Sequence, residues 1–346
     1  MELQKRVTEL MMVGFLGQDL NEELADHIST LEPGGLIFFR RNIASPEQVA
    51  RLTRDIQRLA MEELGRPLLL AVDQEGGTVA RLTPPFSQLP DANLLGAQGT
   101  EAVARYARLA AQEMKLVGLN VNLAPVLDVN LLDTAGPMER RSFGRDPALV
   151  AECGVAAVEA AQGEGVMATA KHFPGLGRAQ EDPHLLLPVV SALAEELRQR
   201  DLVPFRAAFK AGVACAMTSH VLYPALDSEL PGTLSPAILT GLLRNELGFD
   251  GVLLSDDLDM GAVTSRYSPE WVALTALQAG VDLLLVCNDL EHMRVVAEAL
   301  REGITLGLLD ADRAAASLTR LERLRGAYLD RLELPDPDAV ASYFAR

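Results

Sequence analysis

The chain has 346 residues, 49% of them apolar, which is enough to bury a large core and argues against disorder. Its 31 basic and 48 acidic residues leave a formal charge of −17, which speaks against a nucleic-acid or anionic-membrane surface, since both need clustered Lys and Arg. The scattered Cys153, Cys215 and Cys287 cannot form a disulfide framework, and without a C-x-x-C pair they suggest neither zinc nor redox chemistry.

The opening stretch, MELQKRVTELMMVGFLG, spaces its apolar residues as a helix does and carries no small-residue cleavage site. No later stretch approaches the roughly 20 apolar residues of a membrane span. A soluble, cytoplasmic protein without a signal peptide is expected. Strands are predicted at 35–39 (GLIFF), 68–73 (LLLAVD), 120–126 (NVNLAPV), 166–172 (VMATAKH), 185–190 (LLLPVV), 214–220 (ACAMTSH), 251–257 (GVLLSDD) and 282–286 (DLLLV). Several are continuously apolar, as suits strands buried on both faces of a parallel sheet. Helical blocks fall at 45–65, 100–118, 147–164, 193–212, 236–247, 269–280, 289–301 and 309–331; Ser45 before Pro46 and Glu47 marks a start, and Gly65 a stop.

Eight strands alternating with helices predict an α/β fold, a closed (β/α)8 TIM-type barrel, with a doubly wound open sheet as the alternative. No linker composition marks a boundary. Residues 1–346 are expected to form a single catalytic barrel domain with a C-terminal helical extension from about 305 to 346. Between His172 and Leu185 lies a Gly/Pro-rich loop with no helix, of a length that is usually functional.

Polar residues gather at the C-terminal ends of the predicted strands: Asp73, Asp128, Lys171–His172, Ser219–His220 and Asp256–Asp257. In a barrel these ends share one face, where active sites sit. Each has a plainer reading as well. Asp73 could merely pair with Arg81 around a turn at Gly76–Gly77, Lys171 could snorkel to the surface, and His220 could be a satisfied core histidine. His27 and His292 sit in acidic helical contexts and are expected to be solvated. H-x-H, H-E-x-x-H and D-x-D-x-D-G spacings are absent, so no metal and no cofactor is called for.

Carboxylates at strand ends with a proton carrier on a loop suit glycosidic bond cleavage. That reaction needs a nucleophile or base on one face of the sugar and an acid for the departing oxygen. Histidine titrates near neutrality and can give and then take one proton. In EDPH, Asp182 can fix the tautomer of His184, which transfers the proton.

Four motifs, DQEGGTVAR, RRSFGRDP, KHFPGLG…DPH and GFDGVLLSDDLDMGAV, appear in order over residues 5 to 290. Together they resemble glycoside hydrolase family 3, and most closely its single-domain β-N-acetylglucosaminidase branch (NagZ type). The resemblance implies a retaining exo-β-N-acetylglucosaminidase in which Asp256 forms a covalent glycosyl-enzyme. His184 would be general acid/base beside Asp182, while Asp73, Arg81, Arg141, Lys171 and His172 would bind a non-reducing N-acetylglucosamine. Asp257 would be structural. The implied partner is a small carbohydrate, an N-acetylglucosaminyl muropeptide or similar glycoside met in peptidoglycan recycling, with no nucleic acid or membrane involved. Alternatives on the same residues are a phosphorylase, a broader β-glycosidase, or a sugar-binding barrel without chemistry. Two positions depart from many relatives, which read KHFPGHG and DSH: Leu176 removes an imidazole, and Pro183 stiffens the Asp182–His184 link. Gly175 and Gly177 are expected to let the His184 loop move while His172 stays.

Overall fold

The computed structural model describes residues 2–132, 136–181 and 186–345. Eight parallel strands close into a barrel: β1 Met11–Val13, β2 Gly35–Phe38, β3 Leu69–Val72, β4 Val121–Asn122, β5 Met167–Phe173, β6 Cys215–Thr218, β7 Val252–Asp257 and β8 Leu283–Val286. Each strand pairs with the next, and β1 closes the ring against β8 through Met11↔Leu284, Met12↔Leu285 and Val13↔Val286. Val, Ile and Leu dominate these strands and are buried on both faces, which explains their unbroken apolar runs.

The strand count of eight comes out right, but its membership needs two corrections. The predicted strand at 185–190 is not a barrel strand; among its described residues only Val189 forms an isolated bridge, to Leu222. The missing member is β1, hidden in a segment read as helical. Glu2–Arg6 is indeed a short helix, but the chain extends at Met11 and crosses the core as a three-residue strand.

The helices that cover the barrel are α1 Glu22–Leu31, α2 Pro46–Glu63, α3 Thr100–Leu116, α4 Pro147–Gly163, α5 Leu202–Lys210, α6 Ala237–Glu246, α7 Pro269–Ala279 and α8 Leu290–Leu306. Three start in the same way. Ser45, Asp146 and Ser268 each accept a backbone N–H of the first turn, and proline follows at the first helical position, where its missing donor costs nothing. Two more helices follow, α9 Ala311–Tyr328 and α10 Pro337–Phe344. Arg313 and Arg320 of α9, with Arg244 of α6, converge on the buried carboxylate of Asp282, next to β8. Arg325 of α9 pairs with buried Glu9. Among the described residues, no helix is long and apolar enough to cross a membrane.

Candidate active site

The strand ends that carry chemistry meet at one cavity of about 300 Å³, at the C-terminal face of the barrel. It is lined by Asp73, Glu75, Arg81, Arg141, Lys171, His172, Asp256 and Asp257, with Phe39, Met138 and Leu176 among its apolar walls. Of the residues singled out in the sequence, six therefore converge: Asp73, Arg81, Arg141, Lys171, His172 and Asp256. Asp182 and His184 lie outside the described residues. A larger groove, about 1090 Å³, opens at the opposite face near Arg66, Arg325 and Leu332. Its arginines pair with Glu9, and it carries none of the strand-end acids.

One chain of alternating charges runs along the cavity wall. Arg81 donates to Asp73 Oδ2 at 3.3 Å, and Lys171 Nζ donates to Asp73 Oδ1 at 2.9 Å. The same Nζ lies 2.6 Å from Glu75 Oε1, and Arg141 clamps both Glu75 oxygens from Nε and Nη2 at 2.8 Å. Beyond Arg141, His172 Nε2 lies 3.4 Å from Nη2, while Nδ1 lies 2.7 Å from Asp128 Oδ2. Arginine can only donate, so in the neutral ring the proton sits on Nδ1 and points at Asp128. Asp128 is fully buried below the cavity and also accepts the N–H of Leu176. Its role is support from behind.

Lys171 is therefore no snorkelling surface residue. It is 2% exposed, and the charges of Asp73 and Glu75 outweigh burial to raise its pKa. Burial pushes Glu75 up, but Lys171 and Arg141 win and hold it down at about 2. Glu75 was quoted within DQEGGTVAR but not singled out. Its signal was an acid two residues past the predicted strand end at Asp73, three past the observed end at Val72. There the short hairpin Gln74–Gly76/Val79–Ala80 turns it inward.

Asp256 and Asp257 end the same strand and are pushed apart in protonation. Asp256 is half-buried, which favours the neutral acid, but the fields of His172, His220 and Lys171 and the N–H of Asp257 hold its pKa below the usual range. Asp257, also half-buried and facing the charges of Asp259 and Asp256, is pushed up to about 7. The two neighbouring carboxyls thus titrate in different ranges. His220 does not line the cavity; its Nδ1 lies 2.8 Å from Thr233 Oγ1 and its Nε2 3.0 Å from the carbonyl of Asp257, bracing the end of β7. Ser219 bonds Phe173 O and Tyr223 OH in the same supporting layer.

The third acid of this segment, Asp259, is a staple. Its Oδ2 accepts N–H groups of Cys287, Asn288 and Asp289, and its Oδ1 meets His292 Nδ1. His292, expected to be solvated, is instead packed into this pair, and Asp259 raises its pKa against the effect of burial. His27 is also not fully solvated: its Nε2 is buried, and burial lowers its pKa against the opposing backbone of Gly14. A histidine whose folded pKa is raised adds stability that is fully present below the unfolded value of about 6.5 and fades as pH rises through the folded value. Urea denaturation should therefore show wild type losing about 1 kcal/mol more than Asp259→Asn between pH 6 and pH 9. Equal losses in the two proteins would contradict the pair.

Gly175 and Gly177 are closely packed. A Cβ on Gly177 would lie 1.8 Å from Val129 O, and Gly175 has a φ of +132° with Asp201 Cβ 3.0 Å from where its own Cβ would be. Leu131 N–H donates to Gly177 O, and Tyr223 OH donates to Gly175 O. Both positions require glycine, one for close approach and one for its backbone angle.

Known proteins resemble this chain in sequence and fold. Residues 2–324 match the glycosyl hydrolase family 3 N-terminal domain. A β-hexosaminidase of Nitrosomonas eutropha is 37% identical over 325 residues, covering 91% of this chain and 88% of its own length. The structure of a glycoside hydrolase family 3 β-N-acetylglucosaminidase from Paenibacillus sp. superposes with a TM-score of 0.91 at 40% identity. That match covers 94% of this chain, which spans 62% of the Paenibacillus one. NagZ from Neisseria gonorrhoeae gives a TM-score of 0.81 at 30% identity, covering 97% of this chain and 93% of its own.

Proposed function

The chain belongs to glycosyl hydrolase family 3 and is a glycoside hydrolase, and from that premise we propose that it removes terminal β-linked N-acetylglucosamine with retention of configuration. The observation that carries this reading is the placement of Asp256, at the end of β7, on one cavity with the hydrogen-bonding groups of Asp73, Arg81, Arg141, Lys171 and His172. At about 300 Å³ that cavity is at the small end of the ligand-pocket range, which suits one sugar.

In the first step the ionised Asp256 attacks the anomeric carbon, the glycosidic C–O bond breaks, and His184 passes its proton to the departing oxygen. In the second, His184 takes a proton from water, the water oxygen bonds to the anomeric carbon, and Asp256 leaves as a carboxylate. Asp182 holds the His184 ring. Asp73, Arg81, Arg141, Lys171 and His172 bind the sugar hydroxyls and the acetamido group through charge-assisted hydrogen bonds.

As natural substrate we take cytoplasmic muropeptides of peptidoglycan recycling, carrying N-acetylglucosamine on anhydro-muramic acid. Support for this finer step is the motif resemblance and the similarity to the Neisseria NagZ over nearly the whole of both chains. We treat residues 1–346 as one catalytic unit that includes the C-terminal helices, given the ion pairs from α9 to Asp282 and Glu9.

The test is a panel of 4-nitrophenyl β-glycosides of N-acetylglucosamine, glucose and xylose, each assayed with and without phosphate. The N-acetylglucosaminide is expected to turn over fastest, independently of phosphate, with the β-anomer appearing first by NMR. An α-anomer as first product, or a sugar 1-phosphate, overturns the mechanism; no turnover of any member overturns the reading.

A further inference from the structure

Glu75 is 4% exposed at its side chain, and both its carboxylate oxygens are occupied, one by Lys171 Nζ and Arg141 Nη2, the other by Arg141 Nε. It is more enclosed than Asp73, whose side chain is 15% exposed and whose two oxygens each carry a single contact. We infer that Glu75 is a positioning residue for substrate recognition: it holds Lys171 of β5 and Arg141 of the β4 loop at one spacing, so that their remaining N–H groups meet the sugar without rearrangement. This rests on the hydrolase reading above.

Three features of the geometry point this way. The bidentate clamp fixes the plane of the Arg141 guanidinium, which a single contact would not do. Lys171 has no other buried anion than Asp73 and Glu75 within ion-pair distance among the described residues, and Asp73 is partly turned to Arg81. Glu75 is also the link that joins the Arg81–Asp73–Lys171 half of the wall to the Arg141–His172–Asp128 half. Preorganised donors save the cost of ordering two long side chains when substrate arrives.

The consequence differs from that of a purely structural ion pair. Lys171 is faced by Asp73 and Glu75 from the β3 loop, by Arg141 from the β4 loop and by Asp256 from β7, with His172 beside it on β5. Glu75→Gln keeps the shape and removes one of the two nearest anions. Lys171 and Arg141 then lose their common anchor. KM for 4-nitrophenyl β-N-acetylglucosaminide rises on the order of 10-fold or more, while kcat falls less, as when binding common to ground and transition state is lost. Glu75→Asp keeps the charge but falls one methylene short of the clamp, so its KM rises too, which loss of charge alone would not produce.

Circular dichroism shows whether Glu75→Gln folds; should it not, Glu75→Asp decides alone. A wild-type KM in Glu75→Asp, or a folded Glu75→Gln with unchanged KM, overturns the inference and leaves the hydrolase reading standing. A wild-type protein that fails to turn over the substrate overturns that reading and the inference with it.

Discussion

Alanine at position 256 is expected to leave a folded barrel whose kcat/KM falls on the order of 10⁴-fold, about 5.4 kcal/mol of lost barrier reduction. Asp256 lies at the mouth end of β7 and makes no ion pair within 4 Å among the described residues; its recorded contacts are its own N–H to Thr218 Oγ1 and the Asp257 N–H it accepts. Truncating it removes a carboxylate without breaking a buried pair, so structure should survive and chemistry should not. The methyl side chain also opens space beside the anomeric carbon. Adding azide to the variant should restore turnover of an activated aryl substrate and give a glycosyl azide of inverted configuration, because the small anion attacks from the vacated side. Activity within tenfold of wild type would remove Asp256 from the mechanism.

Replacing Lys171 by methionine should act on stability as well as binding. The side chain is 3% exposed between two carboxylates. Without the ammonium, Asp73 keeps only a 3.3 Å contact with Arg81, while Glu75 keeps Arg141. Breaking a buried pair in this way costs about 3–5 kcal/mol, because the uncompensated charge remains inside. The pH dependence follows from Glu75. Its folded pKa of about 2 lies below the ordinary value of 4.5, so its contribution to stability is present above 4.5 and is lost as pH falls toward 2. In Lys171→Met that carboxyl titrates nearer its ordinary value, so the variant, though less stable at pH 7, should lose less further stability than wild type between pH 7 and pH 4. Urea denaturation at pH 7 and pH 4 measures both effects. A wild-type midpoint at pH 7 would mean that the lysine is not paired as described.

How far the sequence led varies with the length scale involved. Helix starts were readable at Ser45–Pro46 because capping and the proline preference are local, and the block predicted over 45–65 is observed as Pro46–Glu63. The strand ends bearing Asp73, Lys171 and Asp256 were readable because an apolar run ending in a charge marks where a buried strand surfaces. The three-residue β1 was not, since Met11–Val13 continues the apolar spacing of the segment before it. Leu186–Val190 misled in the other direction: it is apolar enough for a strand, yet Leu186 is 63% exposed and Val189 47%. Glu75 and Asp259 escaped because their roles depend on partners 66 residues away at Arg141 and 33 away at His292, which no local pattern announces. The family resemblance supplied the names of six residues that do converge, but not the chain of contacts that joins five of them.

The seam between β1 and β8 bears on how the molecule is made. Met11 emerges from the ribosome early, but its partner Leu284 lies roughly 270 residues later, so the ring cannot shut until most of the polypeptide has been synthesised. Until then the outer edge of β1, the side that finally pairs with β8, stays uncovered and offers bare amide and carbonyl groups to neighbouring chains. Nascent-chain intermediates of this protein should lean on chaperones through that interval, and slowing translation late in the message should matter more than slowing it early.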